Sequence, residues 1–247
     1  MTDLHIHILW GLDDGAKEME ESLLMAEMSV ACGVDRIAAT VHGNRPGQPP
    51  GKFLLHYQQT LDAFREALKR QKIPLQVDSG MELFADDHFL ELLQSGNLLT
   101  LNYGPYLLVE FARNASPGWI WQILRDLLKS GYVPVLAHPE RYRCIKEHPE
   151  YLYPWYESGV LMQLNAGSLL GHFGREAKYT AHWMLRHCLA GILASDAHDP
   201  FYRTSNLEEA AGILEFSYGM DCASLLLTDN PNRILDHKAA RRPDVLR

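Results

Sequence analysis

Val133-Pro134-Val135-Leu136-Ala137-His138 is an apolar run of strand length that stops at an imidazole. The same construction recurs along the chain. Leu4-His5-Ile6-His7 opens it, Ile37-Ala38-Ala39-Thr40-Val41-His42 and Leu107-Leu108-Val109-Glu110 follow, and Ile192-Leu193-Ala194-Ser195-Asp196-Ala197-His198 comes last. A hydrophobic run ending in His, Asp or Glu puts that side chain at the C-terminal edge of a strand. In a parallel β/α barrel those edges ring one mouth, where active sites are built. Residues far apart in sequence then become neighbours, and these residue types are metal ligands.

The stretches between the runs read as helices, the alternation of repeated β-α units. Leu24, Met28 and Ala31 have helical spacing within about 18–32. Tyr57, Leu61, Phe64 and Leu68 form a cleaner stripe within about 53–71, followed by a short run ending at Val77. Ser116 is placed to cap a helix with Pro117 in its first turn and Ile120, Ile123, Leu124 and Leu127 on its buried face. Further helices are expected near 148–157, 174–188 and 205–217. About seven strand-helix units result, so a seven-stranded (β/α) barrel is favoured over an open doubly wound sheet. The 247 residues suit one such domain, since these barrels commonly need ~250. The segment 43–51, dense in Gly and Pro, is expected to be irregular and to overhang the mouth, where Arg45 could meet substrate.

Composition excludes several functions. Thirty-one acidic against 23 basic residues give a formal net charge of −8, unsuited to general nucleic-acid affinity. The basic end (Lys238, Arg241, Arg242, Arg247) reads as a frayed tail. No run of ~18 apolar residues is present, so no membrane span is expected. The N-terminus does not read as a signal peptide, which favours the cytoplasm. The four cysteines are widely spaced and read as reduced thiols. His187-Cys188 resembles the start of a cysteine phosphatase loop, but the Arg needed six residues later is Ala194. The positions equivalent for the other cysteines are Ala38, Glu150 and Thr228, so thiol-based phosphate chemistry is disfavoured.

In His5-Ile6-His7 both imidazoles share one side of a strand, with Leu4 and Ile6 expected to face away. Asp196-Ala197-His198 repeats the arrangement, and His42 and His138 add to it. Imidazoles mixed with carboxylates, and no thiolate, suit Mn²⁺, Fe²⁺ or Zn²⁺ in a reactive rather than structural site. Glu82 and Glu110 are the natural bridging or terminal carboxylates. Of Asp13 and Asp14, one is expected to complete the cluster while the other caps the next helix. His56, His88, His148, His172, His182, His187 and His237 lack partner ligands nearby in sequence.

Asp3-Leu4-His5-Ile6-His7, Asp13-Asp14-Gly15 and His138-Pro139-Glu140-Arg141-Tyr142 resemble the polymerase-and-histidinol-phosphatase (PHP) superfamily. More narrowly, they resemble its bacterial tyrosine-protein phosphatase branch, the CpsB/YwqE-like enzymes. Gln163-Leu164-Asn165-Ala166-Gly167-Ser168, Ser195-Asp196-Ala197-His198 and Asn230-Pro231-Asn232-Arg233-Ile234-Leu235 extend the match along the chain. The resemblance implies a distorted seven-stranded barrel of the PHP type with three divalent ions, commonly manganese. By position, His5, His7, Glu82 and Asp196 would hold one ion and Glu82, Glu110 and His138 a second. His42, His198 and an aspartate of the Asp13-Asp14 pair, leaning to Asp14, would hold the third. Thr40-Val41-His42 departs from the family's usual Thr-Pro-His. Arg141 and Arg203 would clamp phosphate, for which a guanidinium fork is suited. The implied reaction is phosphomonoester hydrolysis on the phosphotyrosine tail of a bacterial tyrosine kinase that controls exopolysaccharide or capsule synthesis. Alternatives are a histidinol-phosphatase-type small-molecule enzyme, a polymerase-associated nuclease and a non-catalytic metal-dependent module.

Overall fold

The computed structural model describes residues 1–44, 50–86 and 88–243. Seven strands form one sheet in chain order: β1 Thr2–Ile6, β2 Arg36–His42, β3 Gln76–Phe84, β4 Tyr106–Glu110, β5 Val133–Ala137, β6 Leu161–Asn165 and β7 Ala190–Ala194. All neighbouring pairs are parallel. The sheet closes on itself just beyond the end of β7. There Ile6 bridges Ala197, the His7 N–H donates to Ala197 O at 2.8 Å, and the Asp196 N–H donates to His5 O at 2.8 Å. The barrel is therefore the architecture, and the doubly wound alternative falls away.

Two apolar layers hold it together. The larger lies between strands and helices; Ile37, Val41, Leu107, Leu136 and Leu193 meet Met25, Tyr57, Phe64, Leu124 and Met184 there. The smaller fills the barrel and contains Leu4, Ala38, Leu108, Val135, Ala137 and Ile192, with Ile234 and Leu235 of the helix Asn230–Leu235 closing its floor. Leu4 thus points inward, against the expectation that it faces away with Ile6. The cause is a bulge in β1: Asp3 pairs with Ile37 and Ile6 with Ala39, three steps against two. The extra residue lets Leu4 fill the barrel while His5 and His7 still reach the mouth. The Thr40 hydroxyl accepts the Ile6 N–H at 2.9 Å beside this interruption.

Several helices follow the expected pattern. Ser116 caps Pro117–Lys129 by accepting from the Trp119 N–H, with Ile120, Ile123, Leu124 and Leu127 buried. Others shift. Met19–Ala31 buries Ser22, Met25, Ala26 and Ser29, so the stripe Leu24, Met28 and Ala31 was one register off, with Leu24 exposed. Pro50–Gln71 is helical from its first residue, inside the segment expected to be irregular. β3 runs far past Val77, to Phe84. The end of the chain is tied down rather than frayed as far as it is described. The Arg241 N–H donates to Asn230 Oδ1, and Arg242 donates to the carbonyls of Tyr156 and Glu157 across the Tyr156 ring. Arg247 and Arg45 lie outside the described residues. Among those residues, no helix is long and apolar enough to cross a membrane, and all four cysteines are free.

Candidate metal centre

Six of the seven strands bring candidate ligands to the mouth, β6 being the exception. His42 and Glu110 are the last residues of β2 and β4, and Glu82 lies near the end of β3. His138 follows β5, and Asp196 follows β7 by two residues. Both hold left-handed backbone, φ 36° and 53°. That conformation is uncommon away from glycine and concentrates where function dictates geometry.

Glu82 is the centre. It is buried, with Oε1 3.3 Å from His5 Nε2 and 3.0 Å from His138 Nε2. Its Oε2 is 3.3 Å from His7 Nε2 and 3.2 Å from His42 Nδ1. Glu110 Oε1 is 3.2 Å from the same His42 nitrogen, and Glu110 Oε2 is 3.8 Å from His138 Nε2. On the other side, Asp196 Oδ1 is 3.5 Å from His5 Nε2 and 3.7 Å from both His7 Nε2 and His198 Nδ1. Asp14 Oδ1 approaches His42 Nε2 at 3.5 Å and His198 Nε2 at 3.9 Å. Three groups of donor atoms come close enough to hold an ion: His5, His7 and Asp196; His42, Glu82 and Glu110; and His7, Asp14, His42 and His198. His138 is not in these groups, although its Nε2 lies 3.0 Å from Glu82 Oε1 and 3.8 Å from Glu110 Oε2, and the seven histidines without partner ligands nearby in sequence also stand outside them.

Tautomers can be read from what surrounds the rings. His7 Nδ1 lies 2.7 Å from Asp13 Oδ2, a pure acceptor, and so carries its proton. His5 Nδ1 faces Gln163 Oε1 at 3.0 Å. The Gln163 amide nitrogen donates to Leu164 O and Asn165 Oδ1, which turns its oxygen toward His5. In the neutral rings both Nε2 atoms are therefore lone pairs. They stand 3.2 Å apart and face the carboxylates of Glu82 and Asp196. Lone pairs aimed at lone pairs are held together by a proton or a cation, and this donor set fits divalent ions.

The electrostatics agree. Burial opposes charge on His5, but Glu82 and Asp196 outweigh it, so its pKa rises. Asp13 and Glu82 do the same for His7, more strongly. Burial also works against ionised Glu82 and Asp196; His5 and His138 nevertheless hold both carboxyls below their ordinary range. His198 is driven down to about 3 by burial and the neighbouring His7, leaving a neutral ring.

Asp13 and Asp14 divide differently from the expectation that one caps a helix. Asp13 accepts from His7 Nδ1, the His42 backbone N–H and the Gly15 N–H, which fixes the His7 ring and the backbone that carries His42. The next helix begins after Glu18 with no side-chain cap. Gly15 is required here, because a Cβ would lie 2.2 Å from His7 O.

Both expected arginines reach the site. Arg141 Nη1 is 3.1 Å and Arg203 Nη2 2.7 Å from Asp196 Oδ2. Arg203 Nε is buried and has no hydrogen-bond partner. Burial and the nearby Arg113 lower the Arg141 pKa.

Sequence reasoning missed the roles of Gln163, Asn165 and Arg113. Gln163 and Asn165 lie on β6, and Asn165 Nδ2 donates to Asp196 Oδ2, so an amide chain runs from His5 to Asp196. Their signal was an apolar run ending in amides, which are orienting groups rather than metal ligands. Arg113 Nη1 lies 3.4 Å from His138 Nδ1, and nothing in its local sequence marks it.

Known proteins give the same picture. The family model for capsular polysaccharide synthesis, CpsB/CapC, matches residues 1–236. The chain is 34% identical to the tyrosine-protein phosphatase YwqE of Bacillus subtilis (strain 168), over 98% of this chain and 94% of that one. It is 31% identical to the tyrosine-protein phosphatase CpsB of Streptococcus pneumoniae, over 95% and 98% respectively. It superimposes with a TM-score of 0.91 on a chain from the crystal structures of YwqE from Bacillus subtilis and CpsB from Streptococcus pneumoniae, described as unique metal-dependent tyrosine phosphatases. Identity there is 34%, covering 98% of this chain and 97% of the other. A lactonase from Listeria monocytogenes, 11% identical with a TM-score of 0.59 and covering 98% and 95%, shares the fold alone. With its barrel, ligand-bearing strand ends and full-length similarity, the chain belongs to the CpsB/CapC family of capsular polysaccharide synthesis.

Proposed function

We propose that this protein is a metal-dependent protein-tyrosine phosphatase using three divalent ions, manganese by family resemblance. The observation that carries this reading is the pair of Nε2 atoms on His5 and His7, 3.2 Å apart and facing two buried carboxylates beside two arginines. His5, His7, Glu82 and Asp196 would hold the first ion; Glu82, Glu110 and His138 the second; and His42, His198 and Asp14 the third. Asp13 orients His7 and His42 rather than serving as a ligand. Bound divalent ions supply Lewis-acid polarisation of phosphoryl oxygens and a hydrolytic nucleophile from water near neutral pH.

The protein's own groups do the rest. Asp196 takes one N–H from each guanidinium, which aligns Arg141 and Arg203 while leaving other N–H groups for phosphate oxygens. The buried Arg203 Nε–H is one such donor and gains an acceptor when phosphate arrives. Phenolate, with a pKa of ~10, leaves without much help from a general acid.

By the same resemblance, the substrate is the phosphotyrosine tail of a bacterial tyrosine kinase controlling exopolysaccharide or capsule synthesis, met in the cytoplasm. Arg45 remains a candidate contact for that peptide. Manganese-loaded protein should release phosphate from phosphotyrosine peptides in preference to histidinol phosphate, phosphoserine peptides and single-stranded DNA. Full metal occupancy with no phosphate release would overturn the proposal, and a preference for histidinol phosphate would reassign the substrate.

A further inference from the structure

The phosphate clamp has a support that neither the motifs nor the ligand set contains. Arg141 lies over the ring of Phe173, its guanidinium carbon 4.0 Å from the ring centroid, and the Arg203 guanidinium carbon lies 5.9 Å from the same centroid. Phe173 sits in the turn between the helices Ala166–Leu170 and Arg175–Arg186. That turn is fixed from both sides. Gly171 and Gly174 take left-handed backbone at φ 99° and 93°, and the Gly171 and His172 N–H groups both donate to Gly167 O.

Gly167 also makes room for the ring. A Cβ at this position would lie 2.8 Å from Phe173 Cε2, closer than packed carbon atoms sit. A glycine inside a short helix, where alanine would be favoured, therefore has a physical reason.

An aromatic face suits this task. An acidic partner would orient a guanidinium by consuming its N–H donors and cancelling its charge. A ring face attracts the cation through its quadrupole and leaves every N–H free for an anion. Asp196 already takes one donor from each arginine. A second carboxylate would deplete the clamp further.

We propose that Phe173, seated on Gly167, is a positioning residue that holds Arg141, and secondarily Arg203, in the geometry that binds the phosphoryl group. This inference rests on the clamp reading above, and the test separates the two. The readouts are the competitive inhibition constant of inorganic phosphate, KM and kcat for para-nitrophenyl phosphate, and metal content. Phe173→Leu keeps bulk but loses the ring face. It should raise the phosphate inhibition constant and KM by about tenfold, the scale of one partly desolvated cation–π contact. Metal content should not change, and kcat should fall less than KM rises. Phe173→Tyr should restore phosphate binding. Gly167→Ala, which local propensity favours, should reproduce the Leu signature by displacing the ring. In an Arg141→Ala background, Phe173→Leu should add little, since its partner is gone.

If Arg141→Ala weakens phosphate inhibition while Phe173→Leu and Gly167→Ala do not, the support role is wrong and the clamp stands. Equal loss in the Leu and Tyr variants would also overturn it, because packing rather than the ring face would then be responsible. Unchanged phosphate inhibition in Arg141→Ala would overturn the clamp itself.

Discussion

The two ends of this barrel treat polar groups in opposite ways. At the floor, charged and amide side chains are paired within the protein. Arg36 Nε meets Asp78 Oδ2 at 2.6 Å and its Nη1 meets Asp236 Oδ1 at 2.8 Å. Buried Asn230 donates to Gly191 O and Arg241 O and accepts the Arg241 N–H. At the mouth, acceptors face acceptors: His5 Nε2 against His7 Nε2, and both against Glu82 and Asp196. The floor pairs its charges and amides within the protein, whereas the mouth gathers acceptors that a proton or a cation joins. Stability and chemistry are thereby assigned to opposite ends of the same strands.

Substitutions at the two ends should separate along that line. The largest effect is expected from Glu82→Gln, which keeps shape but removes the charge shared by His5, His7, His42 and His138. Phosphate release should fall on the order of 10²–10³-fold or more, with metal content falling in the same preparation. Normal metal content with normal turnover would erase the contrast. Next comes Asp13→Ala, which frees the His7 ring and the His42 backbone. Loss of such an orienting partner typically costs about 10–100-fold in metal affinity or activity, and titration with manganese would measure it.

Asn230→Ala sharpens the other side. It strands the buried Gly191 O and releases the part-buried Arg241 N–H, at a cost of about 2 kcal/mol. Thermal unfolding should show a fall of roughly 4–8 °C while kcat of the metal-loaded protein is retained. A loss of turnover at constant metal content would mean that the floor is not independent of the mouth.

The smallest effect concerns pH. Burial, with Lys178 and Arg186 nearby, lowers the His182 pKa below 6.5, and its Nδ1 lies 2.6 Å from Tyr218 Oη. The unfolded chain then binds the proton more readily than the folded one. Stability is whole above the unfolded pKa and declines as pH falls through it toward the folded value. Urea midpoints at pH 7.5 and 5 should therefore differ less for His182→Gln than for the parent protein. An identical difference in both would remove His182 from the pH response.

How legible this was from sequence depends on what each element buries. The strand ends carrying His42, Glu110, His138 and Asp196 announced themselves because apolar runs stop at them. β3 was cut short at Val77 because its inward residues Asp78 and Gly80 are not apolar. Gly80 is small since Thr40 and Leu101 would press on a Cβ at 3.0 Å, a constraint visible only once strands are paired. The face of Met19–Ala31 was misread because two of its buried positions are Ser22 and Ser29, with Ser29 donating to Met25 O. Leu4 was placed on the wrong side because a bulge breaks the period-two rule without a residue that signals it. Arg141 and Arg203 were picked out by resemblance, whereas the Phe173 ring beneath Arg141 required coordinates.

The closing contact of the barrel has a wider consequence. Ile6 meets Ala197, flanked by His5, His7, Asp196 and His198, so the segment that joins the first strand to the last also carries four of the expected ligands. Ion binding there would act as a staple between the first strand and the last, shutting a loop that runs from His5 to His198. Chelation should then do more than silence a catalyst: it should loosen the first stave from the last, and amide exchange at His7 and Asp196 would register it before the floor gave way.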